Sequence, residues 1–361
     1  MDFEVKRTDV HKTRVVDAKA PDLEPGQALL RVDAFALTAN NITYAVLGDV
    51  LRYWDFFPTG DADVWGRVPV WGFADVVATR HDDVAEGTRL YGYLPMSTHL
   101  VVTPGRVTPS GFVDEAAHRS ALPPAYNGYS LTDVDSVHDP AHEDHRMLLW
   151  PLFFTSFLID DFLDDNGFFS AEEVVLSSAS SKTAIGTAFL LEQRKAVEVI
   201  GLTSPRNAAF VESLGVYDRV VPYEDVDSLG NTRAAFVDIA GNALARTGVH
   251  SAYADRLAHS MAVGATHWDN PQEMPADLPG PAPAFFFAPD QIVKRTKEWG
   301  RAGLDQRVAE AGRRFVEFAG DWVQIRHGFG PEAVDATYRE LVDGRTDPAV
   351  GHVLSLWTDG S

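Results

Sequence analysis

The chain has 361 residues, 45% of them hydrophobic and 23% charged, which is enough for two domains with substantial cores. A formal net charge of −21 gives a surface that repels nucleic acid and anionic lipid, so neither is expected as a partner. Cysteine is absent, which excludes disulfides, thiolate zinc sites and a cysteine nucleophile. With no apolar stretch of signal-peptide type at the N-terminus, we expect a cytoplasmic protein.

The first part of the chain is predicted to be β-structure. Apolar and polar residues alternate over residues 27–35, 68–79 and 88–93, and residues 99–103 form a further short strand. Turn residues such as Pro25-Gly26 and Pro104-Gly105 separate these strands. Short strands at this spacing indicate a small barrel or sandwich.

Two segments then interrupt the β pattern. His138, His142 and His145 have spacings that a metal could use, but Pro and Asp neighbours favour a solvated surface loop, and we expect no metal site. Residues 147–159 are apolar, yet they are too few to span a bilayer and contain a proline, so we expect a buried segment.

The middle of the chain alternates between strands and helices. Strands are predicted at 173–176, 197–202, 219–222 and 234–239, with helices at 183–193 and 207–214, which indicates a parallel sheet with crossover helices. A proline-rich loop at 271–289, a helix at 292–318 and a last strand at 351–357 follow. We expect residues 1–149, completed by 321–361, to form the β-rich domain and residues 150–320 the α/β domain.

The turn at 177–186 is the most informative part of the sequence. A strand leads into small residues and a helix begins at once, which places amide groups and the positive helix end where a pyrophosphate binds. Only Gly186 remains of the usual glycine fingerprint, in the position that allows close helix–strand packing. A serine N-cap is the simpler interpretation, and Ser181-Lys182-Thr183 resembles the end of a P-loop without its glycines.

The end of the second strand bears on the choice of dinucleotide. An acidic residue there selects NAD, whereas a basic one suits the 2′-phosphate of NADP. The chain has Thr203, Ser204, Arg206 and Asn207 at this point and no carboxylate. We therefore expect NADP(H), with an ordinary helix cap and a solvated Arg206 as the alternative.

A series of motifs in order gives the family resemblance. The motifs are EPGQALLRVDAFALT (24–38), PVWGFADVVAT (69–79) with EGTRLYGY (86–93), FTS (154–156), VPY (221–223), VDIAG (237–241), GAT (264–266) and GHVL (351–354). In this order they resemble the medium-chain dehydrogenase/reductase superfamily, nearest its zinc-independent quinone and enoyl reductases, as a divergent branch of unknown function. The resemblance implies a GroES-like β-rich domain, a Rossmann-type domain and a homodimer.

The resemblance also implies roles for individual residues. The cofactor-binding residues it implies are Thr155, Ser181, Lys182, Thr183, Ala184, Thr203, Ser204, Arg206, Asn207, Tyr223, Ile239, Gly241 and Thr266. Residues 38–57 match the loop that carries catalytic tyrosines in the reductases, so Tyr44 and Tyr53 are the candidates to donate a proton or to stabilise an enolate, with Asn41 positioning the substrate. The alternative is that these aromatics only pack the loop.

Together these observations predict a zinc-independent NADPH-dependent oxidoreductase. Without zinc chemistry, the expected reaction is hydride transfer to an activated double bond or a quinone-like carbonyl, on a small apolar or planar substrate. The alternative is a non-catalytic or non-redox protein on a reductase scaffold with a degenerate phosphate turn. A hydrolase is disfavoured because no G-x-S-x-G motif is present.

Overall fold

The computed structural model describes residues 1–19, 22–135, 137–263 and 278–358. The chain divides into two compact units, Met1–Leu148 with Val323–Ser361, and Leu149–Trp322. The strands of the β-rich part are β1 (Asp2–Lys6), β2 (Asp9–Val16), β3 (Ala28–Leu37), β4 (Trp65–Gly66), β5 (Pro69–Thr79), β6 (Arg89–Pro95), β7 (His99–Val102), β8 (Pro104–Thr108), β9 (Gly111–Asp114) and β10 (Gly128–Leu131).

The remaining elements follow in chain order. The strands are β11 (Glu173–Leu176), β12 (Glu198–Thr203), β13 (Arg219–Pro222), β14 (Ala234–Asp238), β15 (Leu257–Ala262), β16 (Ala284–Phe285), β17 (Gln324–Phe329) and β18 (Val350–Ser355). The helices are α1 (Ala39–Val46), α2 (Glu143–Asp165), α3 (Lys182–Arg194), α4 (Ala208–Ser213), α5 (Ala243–Tyr253), α6 (Ala288–Gly320) and α7 (Gly330–Val342).

The first unit is built on a sheet of order β17-β18-β3-β5-β6-β10-β9-β8, in which β7 also pairs with β3. A smaller sheet has the order β2-β1-β4. β3, β5, β6 and β18 are buried along most of their length, whereas the edge strand β17 is largely exposed. The core includes Phe3, Phe35, Val70 and Leu90, and α7 adds Tyr338 to it.

The second unit contains a parallel sheet of order β13-β12-β11-β14-β15-β16. This order begins at a central strand, extends to one side and then to the other, as in dinucleotide-binding folds. β11 and β14 are buried along their whole length, which explains their apolar runs VVL and AAFV; Glu173 and Asp238 at their ends are buried as well. The carboxyl ends of β11, β12 and β14 meet at one edge of the sheet, where the predicted cofactor residues lie.

The structure differs from the sequence-based expectations in several elements. The expected loop at 138–145 is wrong in its second half, because Asp139 caps a 3-10 turn and α2 begins at Glu143. The predicted loop at 271–289 holds β16 and the start of α6, and its residues 271–277 lie outside the described part. The helix expected at 292–318 is longer and breaks at Gly300, whose φ is 72°. β1, β2, β17 and α7 were not predicted.

Among the described residues, no helix is both long and apolar enough to cross a membrane.

Candidate active site

The turn between β11 and α3 keeps the backbone shape of a phosphate turn without its glycines. Ser178 lies in the left-handed region with a φ of 54°, a conformation that glycine usually provides. Ser181 caps α3, and its hydroxyl accepts a hydrogen bond from the amide of Ala184 at 3.3 Å. Thr183 lies in the first helical turn, where amides have no acceptor within the helix. The helix start therefore presents a positive end at this edge of the sheet.

Some amides of the turn already have partners. The Ser178 amide donates to the Tyr223 hydroxyl at 2.8 Å, and the Ala179 amide donates to the Leu202 carbonyl at 2.9 Å. The Ser181 amide donates back to the Ser178 carbonyl at 2.7 Å. Tyr223, which the resemblance implies at the adenosine, thus supports the turn from the end of β13. An incoming phosphate would find donors at the helix start and not at these three amides.

A glycine on the neighbouring strand makes room for the side chain of Ala179. A Cβ atom on Gly201 of β12 would lie 2.9 Å from the Ala179 Cβ and 2.8 Å from the Tyr217 ring. Tyr217 in turn donates a hydrogen bond to the Ala179 carbonyl at 2.8 Å. A glycine in the turn would allow the turn to lie close to β12. Here Gly201 of β12 allows this close approach instead.

Gly186 has a role different from the expected one. A Cβ atom at Gly186 would lie 2.7 Å from the Ser156 hydroxyl oxygen on α2, so this glycine allows close helix–helix packing and not helix–strand packing. Ser156 fixes this contact because its hydroxyl donates to the Thr183 carbonyl at 2.7 Å. The neighbouring Thr155 hydroxyl donates to the Pro151 carbonyl at 3.5 Å. Thr266, also implied at the cofactor, lies outside the described residues.

The end of β12 brings the residues implied at the 2′-phosphate close to the turn. The Asn207 side-chain amide donates to the Ser180 hydroxyl at 3.0 Å and so joins the two loops. The Ser204 hydroxyl is buried and has no hydrogen-bond partner among the described residues, whereas Arg206 is exposed. Thr203 is the last residue of β12 and is only 1% exposed. Ser204 and Arg206 are therefore the better placed of these residues to meet a ligand.

A buried ion pair fixes the loop after β14. The Asp238 carboxylate accepts hydrogen bonds from the Ser177 hydroxyl at 2.8 Å and the Gly241 amide at 3.0 Å. Arg246 of α5 donates to the same carboxylate at 2.8 Å, and the side chains of this pair are 1% and 9% exposed. Ser177 also accepts from the amide of Ile239 at 2.8 Å. Sequence reasoning missed Arg246, because nothing in its helical context distinguishes it from a surface arginine.

An aromatic cluster in the first unit contains both candidate tyrosines. It consists of Tyr44, Tyr53, Phe56, Phe57, Trp71, Tyr93, Leu100, Leu122 and Tyr126. The ring centroids of Tyr44 and Tyr53 are 4.3 Å apart, and those of Tyr93 and Tyr126 are 4.7 Å apart. Trp71 and Tyr93 lie opposite each other on β5 and β6. Their alternation on adjacent strands was the sequence signal that could have added Trp71 and Tyr93 to the candidates.

Burial determines the pKa values of the tyrosine hydroxyls in this cluster. It raises the pKa of Tyr44 and of Tyr53 far above the ordinary value, and the neighbouring Tyr126 raises both further. The same cause raises the pKa of Tyr93, whose hydroxyl is buried without a partner among the described residues. The phenols are therefore neutral and can act as hydrogen-bond donors, which suits stabilisation of a developing enolate oxygen.

The asparagines of α1 support the loop. The Asn41 side chain accepts from the Thr38 amide at 2.8 Å and donates to the Pro69 carbonyl at 2.9 Å, and the residue is 4% exposed. Asn40 donates to the Tyr44 hydroxyl at 2.7 Å, which orients that phenol. The substrate-positioning role of Asn41 stays a prediction, and its present contacts fix the start of α1.

The histidine-containing segment does not assemble a metal centre in the described residues, which contain no group of three or more His, Asp or Glu side chains with suitable geometry. His142 instead pairs with Asp139 at 2.8 Å on the surface. His138 lies 3.6 Å from Glu143.

Comparisons with known proteins identify the family of this chain and solved structures that share its fold. Residues 35–347 match the model of a family described as "Protein of unknown function (DUF2855)". The chain belongs to this family. No curated protein matches its sequence.

Solved structures share the fold at low sequence identity. CurA in complex with NADPH from Vibrio vulnificus is 12% identical over 97% of this chain and 95% of that chain, with a TM-score of 0.60. A mutant form of enoyl thioester reductase from Candida tropicalis is 11% identical over 98% and 100%, with a TM-score of 0.56. The quinone oxidoreductase from Coxiella burnetii is 13% identical over 98% of each chain, with a TM-score of 0.50. The predicted fold, a GroES-like β-rich domain plus a Rossmann-type parallel-sheet domain, is confirmed.

Proposed function

We propose that the chain is an NADP(H)-dependent, zinc-independent oxidoreductase that reduces an activated double bond or a quinone-like carbonyl. The observation that carries the proposal is the β11–α3 turn, in which Ser178 adopts the left-handed conformation and a capped helix begins directly after it. The relative of known structure that holds NADPH supports the choice of cofactor.

The residues at this edge of the sheet fit a dinucleotide with a 2′-phosphate. The Ser204 hydroxyl, which has no partner within the described part of the chain, and the exposed Arg206 supply a donor and a positive charge at the end of β12, where the sequence has no carboxylate. Lys182 and Thr183 lie at the start of α3, where a pyrophosphate would receive amide hydrogen bonds. When bound, the cofactor supplies the hydride.

The aromatic cluster would receive the substrate. Its rings offer an apolar, planar environment, and the Tyr44 and Tyr53 hydroxyls are neutral donors for the oxygen that gains charge during reduction. Asn40 orients the Tyr44 hydroxyl by its hydrogen bond. This chemistry requires no ionised side chain in the cluster.

The first experiment is calorimetric titration of the purified protein with NADPH and with NADH. We expect NADPH to bind at least about tenfold more tightly, and Arg206→Glu to remove most of this preference because a carboxylate repels the 2′-phosphate. Arg313→Glu, at an exposed arginine of α6, is the matched charge control and should retain the preference. Equal loss of both dinucleotides in Arg206→Glu would contradict the 2′-phosphate assignment.

The catalytic role of the tyrosines has a separate test. With an enone or quinone substrate that is turned over, Tyr44→Phe and Tyr53→Phe should each lower kcat by roughly 10²-fold and leave NADPH affinity unchanged. Tyr338→Phe removes an equally buried hydroxyl from the core of the first unit and should leave kcat unchanged. Full activity in both phenylalanine variants would show that the tyrosines only pack the loop.

A second function is supported by the occupied amides of the turn. Because the Ser178 and Ala179 amides already donate within the protein, the turn resembles one that has stopped binding phosphate, on a scaffold without redox activity. Under this alternative neither dinucleotide binds in the titration.

A further inference from the structure

The first unit contains a cavity of about 240 Å³ that none of the predicted site residues lines. Its residues include an apolar group and a basic group: Phe56, Phe57 and Leu100, and Arg67, His99 and His118. Phe56 and Phe57 belong to the aromatic cluster and form a wall of the cavity. With Lys19 also in its lining, the cavity combines a flat apolar surface with the cationic side chains of Arg67 and Lys19, the two features of a site for an amphipathic small molecule.

Arg67 is held rigidly in this wall. Its guanidinium donates to the Phe57 carbonyl at 3.2 Å, the Pro58 carbonyl at 2.7 Å and the Ser97 hydroxyl at 3.3 Å. Carbonyl and hydroxyl acceptors fix the group without cancelling its charge. Asp2 forms an ion pair with the guanidinium at 3.5 Å and offsets part of its charge. The charge is thus fixed in place before any ligand arrives.

The balance of charge in the cavity is positive. Asp114 lines it, but this carboxylate is already paired with the buried Arg119 at 2.8 Å. Lys19 adds a further cation to the lining. The remaining carboxylate, Asp2, offsets only one of the charges of Arg67 and Lys19.

The pKa of His99 reflects the same positive electrostatic environment. Burial lowers the pKa of His99, and the positive charges of the Met1 amino group and of Arg31 lower it further. Asp2 acts in the opposite direction and less strongly. The cavity is thus locally positive although the protein has a net charge of −21, because cationic groups are concentrated around it.

We propose that this cavity is a binding site for a small anion with a planar apolar body, such as an aromatic carboxylate or phosphate ester. The anionic group would lie near Arg67, Lys19 and His118, and the ring would pack on Phe56 and Phe57. Every residue of the cavity belongs to the first unit, and none is a predicted cofactor residue.

The test uses the full chain without dinucleotide and follows the histidine ring resonances by NMR. Benzoate and phenyl phosphate are the probes, and benzamide is the neutral control of the same shape. We expect saturable shifts of the His99 and His118 resonances with the two anions and an upward shift of the His99 pKa, because an anion offsets the surrounding positive charge. Benzamide should bind at least about tenfold more weakly.

Two variants assign the shifts to the cavity. Lys19→Glu reverses an exposed charge of the lining and should weaken benzoate several-fold, whereas Lys12→Glu, at an exposed lysine beside Asp9, should not. Arg67→Met should abolish binding. If Arg67→Met folds poorly, the Lys19→Glu variant alone still decides the test. Equal binding of benzoate and benzamide, or unchanged binding in Lys19→Glu, would overturn the proposal. Preference for benzoate or for phenyl phosphate identifies the anionic group.

Discussion

The β11–α3 turn and the aromatic cluster differ in what determines their geometry. The backbone of the turn is fixed by hydrogen bonds to the parallel sheet and to the hydroxyls of Tyr217 and Tyr223, so the turn's own side chains can change while the shape persists, as Ser178 shows with its left-handed φ of 54°. The cluster is fixed by side-chain packing between rings 4.3 to 6.4 Å apart, so its identity depends on each residue. A backbone-determined site tolerates sequence divergence, and a side-chain-determined site does not.

The largest predicted effect concerns the phenols. Burial is the main cause that raises the pKa of every one of the ten tyrosines. A raised pKa in the folded state means that stability is complete below the unfolded value of about 10 and falls as the pH rises above it, by up to about 1.4 kcal/mol per pH unit for each phenol. Denaturant unfolding between about pH 8 and pH 11 should show a steep loss of stability.

Phenolate absorbance supplies the control for this prediction. In the folded protein the absorbance should not rise near pH 10, and it should appear together with unfolding. A tyrosine step near pH 10 that precedes unfolding, and that is lost in Tyr44→Phe or Tyr53→Phe, would show that part of the cluster is open to solvent. In that case the comparison with the turn would fail, because packing would not determine the cluster.

The second prediction removes a side chain on which the second unit depends. Arg246→Ala leaves the buried Asp238 carboxylate without its cation, and this should lower the free energy of unfolding by about 3–5 kcal/mol. Arg301→Ala breaks an exposed pair with Asp305 in α6 and should cost less than about 1 kcal/mol in the same denaturant titration. A small effect of Arg246→Ala would mean that the hydrogen bonds from the Ser177 hydroxyl and the Gly241 amide to Asp238 suffice to fix the loop.

The sequence predicted features that follow from chain topology. The strand at 173–176 and the helix after it could be located because a short apolar strand, a turn of small residues and a helical stretch occur in a fixed order. The meeting of the predicted cofactor residues at one edge of the sheet followed from the rule that parallel strands end together.

Contacts between distant residues could not be predicted in the same way. Gly201 accommodates Ala179 from 22 positions away, and Arg246 pairs with Asp238 only because α5 folds back on β14. The cavity at Arg67 joins residues from the start of the chain with residues near 118, and no local pattern marks them. The left-handed conformation of Ser178 was hidden as well, because serine rarely adopts it.

The smallest predicted effect tests how the turn compensates for its missing glycines. Gly201→Ala should lower the free energy of unfolding by about 1–3 kcal/mol, because the new Cβ would overlap the Ala179 methyl group and the Tyr217 ring. Adding Ala179→Gly to this variant should recover part of the loss, since it frees the space that Gly201 now provides. Gly60→Ala, where a Cβ meets nothing within 4 Å, is the control. Strict additivity of the two substitutions would show that Gly201 serves Tyr217 alone and that Ala179 needs no compensation.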